Sequence, residues 1–261
     1  MLVSVIIPTK NEGPNIGRLL NSLYSQSFTD FEIIVVDNFS QDKTLQIAKR
    51  FTKKVFRKGP ERSAQRNFGI QKAKGKYVLF LDADMKVEKN LLKESLAALK
   101  NEKICGILID EVSVGTNFLS RIKNLEKKIY RGRSEIEAAR FFRKKDLEKV
   151  GGYDNNLISG EDWDLTLRIR RFGHLFKIKS KIMHFENHSF WQDITKKYYY
   201  AKNIRKYSYM HPKEFKRQSG ISRVLILFKN PNIIFENLPE FVGLLFLKTS
   251  QYVAYQISRI Q

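Results

Sequence analysis

Five apolar residues, Tyr77-Val78-Leu79-Phe80-Leu81, run directly into Asp82-Ala83-Asp84. A run so short and so continuous, entered through a Gly75-Lys76 turn, predicts a strand buried on both faces, the kind found in parallel sheets covered by helices. It stops on two carboxylates spaced i, i+2. If the backbone stays extended, both point to one side, at the strand end where open α/β sheets hold ligands. Neighbouring carboxylates repel, so a cation or a hydrogen-bond donor is expected to share the site. Hard oxygen ligands of this kind suit Mg2+ or Mn2+ bridging to phosphates. The plainer alternative is that the pair caps the next helix.

The rest of the first 110 residues repeats the same grammar. Leu2 to Ile7 predicts a buried strand stopped by Pro8, and Phe31 to Val36 a second strand ending in Asp37. Between them Ile16, Leu19, Leu20 and Leu23 recur at i, i+3, i+4, i+7, the inner face of a helix. Ser40 is expected to cap a helix that turns Leu45, Ala48 and Phe51 inward. Val55-Phe56 is a short strand, and a helix from about Glu61 to Lys72 carries Arg62, Arg66 and Asn67. Leu91, Leu92, Leu96 and Leu99 mark another helix, and Ile104 to Ile109 another strand. Strand alternating with helix predicts a parallel sheet with right-handed crossovers. Neither glycine-rich phosphate fingerprint occurs, so a phosphate ligand has to be held through a metal.

Farther on, Phe118 to Arg133 reads as a basic amphipathic helix, suited either to a membrane surface or to packing on the sheet. Ile136 to Phe142 reads as a strand, and Gly151-Gly152-Tyr153-Asp154 as a turn. Ser159-Gly160-Glu161-Asp162-Trp163-Asp164 opens a helix that Gly173 stops. Acids at a helix start are favoured in their ionised form, which makes a deprotonated base easy to maintain there; simple capping is the alternative. His184, in the strand-like segment Lys181 to Phe185, and His188 just after it are more simply structural, since a lone His usually is. A further metal ligand would nonetheless have to be imidazole or carboxylate, which keeps both as candidates.

Charge enters with the tail. The chain carries 48 Lys and Arg against 27 Asp and Glu, a net +21, which favours a polyanionic partner without choosing among nucleic acid, membrane and phosphorylated substrate. Ten of those cations and one acid, Glu214, lie between Lys196 and Lys229, interleaved with Tyr198, Tyr199, Tyr200, Tyr207, Tyr209 and Phe215. The apolar stretch Val224 to Phe228 closes this segment, and Phe241 to Leu247 follows it. Aromatic and basic residues beside apolar patches fit an anionic membrane surface better than single-stranded nucleic acid, so no nucleic-acid partner is expected. No secretory leader and no run of about 20 apolar residues is found, so a membrane-spanning helix is not required. Cys105 is the single cysteine, which excludes an internal disulfide and fits a reducing compartment.

Four motifs in chain order resemble the family-2 glycosyltransferases, inverting enzymes with the GT-A fold. The resemblance covers Ser4 to about Gly173. Ser4 to Glu12 (Ser-Val-Ile-Ile-Pro-Thr-Lys-Asn-Glu) is similar to the first-strand signature and Glu32 to Asp42 to the second. Ala64 to Gly75 leads into Asp82-Ala83-Asp84 as in that family. Gly151-Gly152-Tyr153-Asp154 followed by Gly160-Glu161-Asp162-Trp163-Asp164 is similar to the acceptor-side signature.

The resemblance implies an α/β fold, a GT-A (Rossmann-like), mostly parallel central sheet flanked by helices, with a C-terminal helical basic and apolar extension. It implies a GT-A domain over 1–190, its nucleotide-binding half 1–110 and acceptor-side half 111–190, and a membrane-associating extension over 191–261. Pro8, Thr9, Glu12 and Asp37 would hold the nucleoside of a nucleotide-sugar donor, with Arg66 among the donor-binding residues and Asp82 near the ribose. Asp84 would ligate Mn2+ or Mg2+ on the diphosphate, and His184 stands where some members place another ligand. Asp162 would be the general base. The Gln-x-x-Arg-Trp motif of processive synthases is absent, with Arg168-Ile169-Arg170-Arg171-Phe172 in its place, so transfer of a single sugar is expected. The tail points to a lipid-linked or glycan acceptor and to a cytoplasmic protein, peripheral on the inner face of the cell membrane. Two other classes stay open at this point: an inactive nucleotide-sugar-binding module, and a basic nucleic-acid-binding protein.

Overall fold

The computed structural model describes residues 1–133, 136–185, 189–218, 221–228 and 231–260. His188 lies outside the described residues. The chain forms two compact units: the first comprises 1–111, 138–156 and 161–185, the second 112–137, 157–160 and 186–261.

The elements follow in chain order: β1 (Val3–Thr9), α1 (Ile16–Tyr24), β2 (Phe31–Asp37), α2 (Thr44–Ala48), β3 (Val55–Arg57), α3 (Arg62–Lys72), β4 (Tyr77–Phe80), β5 (Met85–Val87), α4 (Leu91–Leu99) and β6 (Ile104–Val114). Then come α5 (Phe118–Tyr130), β7 (Phe141–Arg143), α6 (Lys144–Lys149), α7 (Glu161–Ile169) and β8 (His174–Phe185). The described residues then continue as α8 (Phe190–Asn203), α9 (Arg205–Met210), α10 (Pro212–Gln218), α11 (Ile221–Leu227), α12 (Pro231–Glu236) and α13 (Leu238–Ile260).

The sheet runs β3-β2-β1-β4-β7-β6-β8-β5. Its first half is parallel, β1 pairing with β2 and β4, and β2 with β3. Beyond β4 the pairing turns antiparallel, β7 with both β4 and β6, and β5 with β8. The sheet is therefore mixed, with its parallel strands gathered on one side. Alternate residues of each central strand feed two separate cores. Val3, Val5, Ile7, Leu79 and Leu81 join the α1 and α4 leucines on one face. Ile6, Val78 and Phe80 meet Ile70 of α3 and Leu165 and Ile169 of α7 on the other. A side chain of this size stabilises by about 1.5–3 kcal/mol when fully buried, so strands apolar at every position are accounted for by two cores.

Ile136 to Phe142 is not a strand throughout. Only Phe141–Arg143 pairs, with Phe141 opposite both Leu79 and Ile107. In the second unit Ile122, Leu125 and Ile129 of α5 form a core with Ile226, Leu227, Phe241, Leu244 and Leu247. There the apolar face of α5 is taken up by helix packing. No helix among the described residues is long and apolar enough to cross a membrane.

Candidate active site

Parallel pairing of β1 and β2 sets Thr9 opposite Asp37, and Thr9 Oγ1 donates to Asp37 Oδ1 at 3.0 Å. The Ser40 amide donates to Asp37 Oδ2 at 2.9 Å, and the Ser40 hydroxyl also bonds this carboxylate, which is fully buried. Asn11, at φ 54°, donates its amide to Ser40 Oγ at 2.7 Å and accepts from the Gln41 amide at 2.9 Å. Ser40 thus does not cap α2. Asp37 and Asn11 engage its side chain, and Asp42 Oδ1 takes the Thr44 amide at 2.9 Å instead. Pro8 is buried within β1, and Glu12 accepts from Asn15 Nδ2 at 2.8 Å where the loop enters α1.

Three consecutive residues of α3 reach three different places. Gln65 Nε2 donates to the carbonyls of Thr9 and Val36, at 2.9 and 2.6 Å, tying the ends of β1 and β2 together. Asn67 clamps the glycine turn before α7, accepting from the Tyr153 amide and donating to the Tyr153 carbonyl, both at 2.8 Å. Gly152 there has φ 69°, and a Cβ on it would come within 2.5 Å of Asn67 Oδ1, so this turn needs glycine twice over. Between them Arg66, fully buried, donates to Asp82 Oδ1 at 3.0 Å, to Asp162 Oδ1 at 2.8 Å and to Glu161 at 3.4 Å.

Asp82 and Asp84 do not lie on an extended strand. The Met85 amide bonds the Asp82 carbonyl at 3.2 Å, closing a turn, so the two carboxylates go to different partners. Neither caps α4, whose N-cap residue is Asn90. Asp82 meets Arg66 and, at 3.4 Å, Arg140. Burial alone would raise its pKa, but Arg140 and Arg66 hold it well below the usual carboxylate range. Arg140 in turn pairs with Glu111 at 2.6 Å. Asp84 Oδ2 lies 3.0 Å from His184 Nε2, and His184 Nδ1 lies 3.4 Å from Glu111. Antiparallel pairing of Met85 with His184 produces this meeting. Burial opposes the charged imidazole, yet the bonds to Asp84 and Glu111 push its pKa up to about 9. Asp84 Oδ1 is buried with no hydrogen-bond partner among the described residues. A carboxylate oxygen and an imidazole suit Mn2+ or Mg2+ whose other positions are filled by phosphate and water. No group of three His, Cys, Asp or Glu among the described residues is arranged to hold an ion by itself.

Asp162 stands in the first turn of α7 with about a third of its side chain exposed. Both side-chain bonds it accepts among the described residues fall on Oδ1, from Arg66 and from the Tyr153 hydroxyl at 3.1 Å; Oδ2 accepts none there. Burial and the Asp162 carboxylate push the Tyr153 phenol well above its ordinary pKa, so it remains a donor. Glu161 behaves unlike an easily ionised helix-start acid: burial and the adjacent Asp162 raise its pKa.

The structure therefore joins Arg66, Asp82 and Asp162 in one network, joins Asp84 to His184, and groups Pro8, Thr9 and Asp37 at the ends of β1 and β2. Glu111 and Arg140 belong to the charge network and carry no role in the sequence reading. Glu111 had a signal, since it follows an apolar strand run as Asp82 does; Arg140 had none.

The Glycosyl transferase family 2 model matches residues 4–154. The chain belongs to that family. Among its relatives, poly(ribitol-phosphate) beta-N-acetylglucosaminyltransferase TarS of Staphylococcus aureus is 41% identical over 108 residues, 37% of this chain and 18% of TarS. Glycosyltransferase AglE of Haloferax volcanii is 30% identical over 194 residues, 66% of this chain and 62% of AglE. The matches thus span less than two thirds of either relative. In solved structures, this family-2 chain superposes on S. aureus TarS with a TM-score of 0.61 at 22% identity, covering 99% of this chain and 55% of TarS. It superposes on the mannosyltransferase PcManGT of Pyrobaculum calidifontis with a TM-score of 0.65 at 16% identity, covering 99% of this chain and 86% of that one. These are glycosyltransferases, and the shared architecture is GT-A.

Proposed function

We propose that this chain is an inverting glycosyltransferase that moves one sugar from a nucleotide-diphosphate donor to a lipid-linked glycan or polyprenyl-type lipid at a membrane surface. The observation that carries the reading is Arg66, one buried guanidinium bonded to both Asp82 and Asp162. It brings a donor-side carboxylate and a candidate base into one rigid network. The acceptor hydroxyl would give its proton to Asp162 Oδ2 while its oxygen bonds the anomeric carbon and the bond from that carbon to the diphosphate breaks. Arg66 and Tyr153 hold Oδ1 and so aim the other oxygen. Pro8, Thr9, Glu12 and Asp37 would hold the nucleoside, and Asp82 the ribose.

Asp84 and His184 would hold Mn2+ or Mg2+, which would offset charge on the departing diphosphate. The buried, unpartnered Asp84 Oδ1 supports this, and PcManGT was solved in complex with GDP-Man and Mn2+. TarS was solved in complex with UDP-GlcNAc, which supports a nucleotide-sugar donor. The test is a thermal-shift panel of UDP-, GDP- and dTDP-sugars, with and without Mn2+, on wild type and Asp84→Ala. One donor is expected to raise the melting temperature with metal, and the variant to lose that gain. A panel in which no donor shifts the wild type under any metal condition overturns the reading.

The membrane part rests on the second unit. On α13, Phe241, Leu244 and Leu247 are buried, yet Leu238, Val242, Phe246, Val253 and Ile257 are exposed, as are Leu225, Phe228 and Phe235. Apolar side chains facing water beside many lysines and arginines fit an interfacial surface on anionic lipid. The cytoplasmic inner leaflet is the setting this implies. Flotation with phosphatidylglycerol vesicles, absent with neutral ones, is the expected result; no flotation with either removes the membrane from the reading.

A further inference from the structure

Arg18 stands on α1, directly after the loop assigned to the nucleoside. Its guanidinium carbon lies 3.9 Å from the centroid of the Phe185 ring, and its Nη1 is buried with no hydrogen-bond partner among the described residues. Phe185 follows His184, and its amide donates to the Asp84 carbonyl at 2.9 Å. Two buried polar atoms of opposite charge, Arg18 Nη1 and Asp84 Oδ1, therefore flank one residue, and each lacks a hydrogen-bond partner among the described residues, the other included. Leaving either buried and unsatisfied is costly, and a direct ion pair would have relieved both. A ligand anionic toward Arg18 and metal-bearing toward Asp84 relieves them separately.

We infer that Arg18 binds a phosphate of the donor diphosphate, an inference that rests on the donor reading above. Guanidinium stacked on an aromatic ring has its N–H fork fixed in the ring plane's orientation, which suits the two-oxygen face of a phosphate. Stacking restricts the side chain before the ligand arrives, so little rotamer freedom is lost on binding. A purely structural Arg18, gripping Phe185 by cation–π attraction, would contribute to folding alone and be indifferent to nucleotide.

The experiment measures binding by the full chain at fixed Mn2+. UDP, GDP and dTDP are compared with uridine, guanosine and thymidine on wild type, Arg18→Met and Arg18→Lys, by calorimetry for the diphosphates and saturation-transfer NMR for the nucleosides. The diphosphate that wild type recognises is expected to bind Arg18→Met ten- to a hundredfold more weakly, with Arg18→Lys between, while nucleoside binding is unchanged. Arg18→Lys keeps the charge and the apolar stem, so it decides the matter if Arg18→Met folds poorly. Unchanged diphosphate affinity in both variants overturns the inference and leaves the donor reading intact. An equal loss for nucleoside and diphosphate also overturns it, since Arg18 would then only shape the loop. If wild type binds none of the three diphosphates, the donor reading falls and this inference with it.

Discussion

In the first unit the charged groups lie inside and the surface holds few large apolar side chains; in the second the arrangement is close to the reverse. Arg66 is fully buried among Asp82, Glu161 and Asp162, and Arg140 is mostly buried between Asp82 and Glu111. The second unit keeps paired ions too, Lys248 with Glu126 and, at 2.6 Å, Lys123 with Asp193. Yet it turns Trp191, Leu225, Phe235, Val242 and Phe246 toward solvent. Burying charge is costly unless every partner is present, so a dense internal network marks a place where chemistry rather than stability set the side chains. Exposing large apolar residues gains nothing in water, so their concentration marks a surface meant for something other than water.

The contrast can be broken most sharply at Arg66. Arg66→Met removes the one cation shared by three carboxylates, leaving Asp82 only Arg140 and Glu161 only Arg62 among the described residues, and a loss of about 3–5 kcal/mol in urea-denaturation stability is expected. Stability within about 1 kcal/mol of wild type would mean the network is not the internal brace described. Next comes Asp162→Asn, which keeps the shape but removes the proton acceptor. Turnover is expected to fall by about 10²-fold or more with donor binding unchanged, measured with a hydroxyl acceptor. A small loss would point instead to an acceptor already ionised.

How far the network could be read from the chain alone differs by element. The strands ending in Asp37 and Asp82 declare themselves because runs apolar at every position have few other uses, and the leucine spacings of α1 and α4 are equally plain. The pairing of Arg140 with Glu111 was hidden for a geometric reason. They meet only because β7, three residues long, pairs with β4 on one side and β6 on the other. A strand that short has no pattern to detect. Ser40 does not cap because its oxygen accepts from the Asn11 amide, a donor far away in the chain, while its hydroxyl donates to Asp37 three residues back. The expected same-side Asp82 and Asp84 failed because the period-two rule assumes an extended chain, and the backbone turns there.

In the second unit Glu126 offers a milder test. Burial would raise its carboxyl, but Lys248 lowers it to about 2, below the ordinary 4.5. A carboxyl depressed in the folded state contributes stability above pH 4.5, which is lost as pH falls toward 2. Lys248→Met is therefore expected to cost about 1–2 kcal/mol at pH 6 and close to nothing at pH 2, followed by denaturation at each pH. A cost independent of pH would mean that Lys248 acts through its packing. The smallest effect on folding belongs to the exposed apolar residues of α11 and α13. Val242→Ser with Leu225→Ser should change stability by less than about 0.5 kcal/mol per site while reducing vesicle binding several-fold, read by flotation. A large stability loss would show that those residues pack against protein rather than face outward.

The run Gln65-Arg66-Asn67 bears on how such a molecule can be rebuilt. Each side chain is committed to a separate segment, so the donor-side loops and the turn before α7 are both written into one stretch of α3. A chimera that imports another protein's acceptor-side segment from about residue 140 onward would arrive without the matching helix. Asn67 would then lack its glycine turn and Arg66 its second carboxylate. Swapping modules here therefore means moving α3 with the acceptor half, even though some 70 residues of other sequence lie between them in the chain.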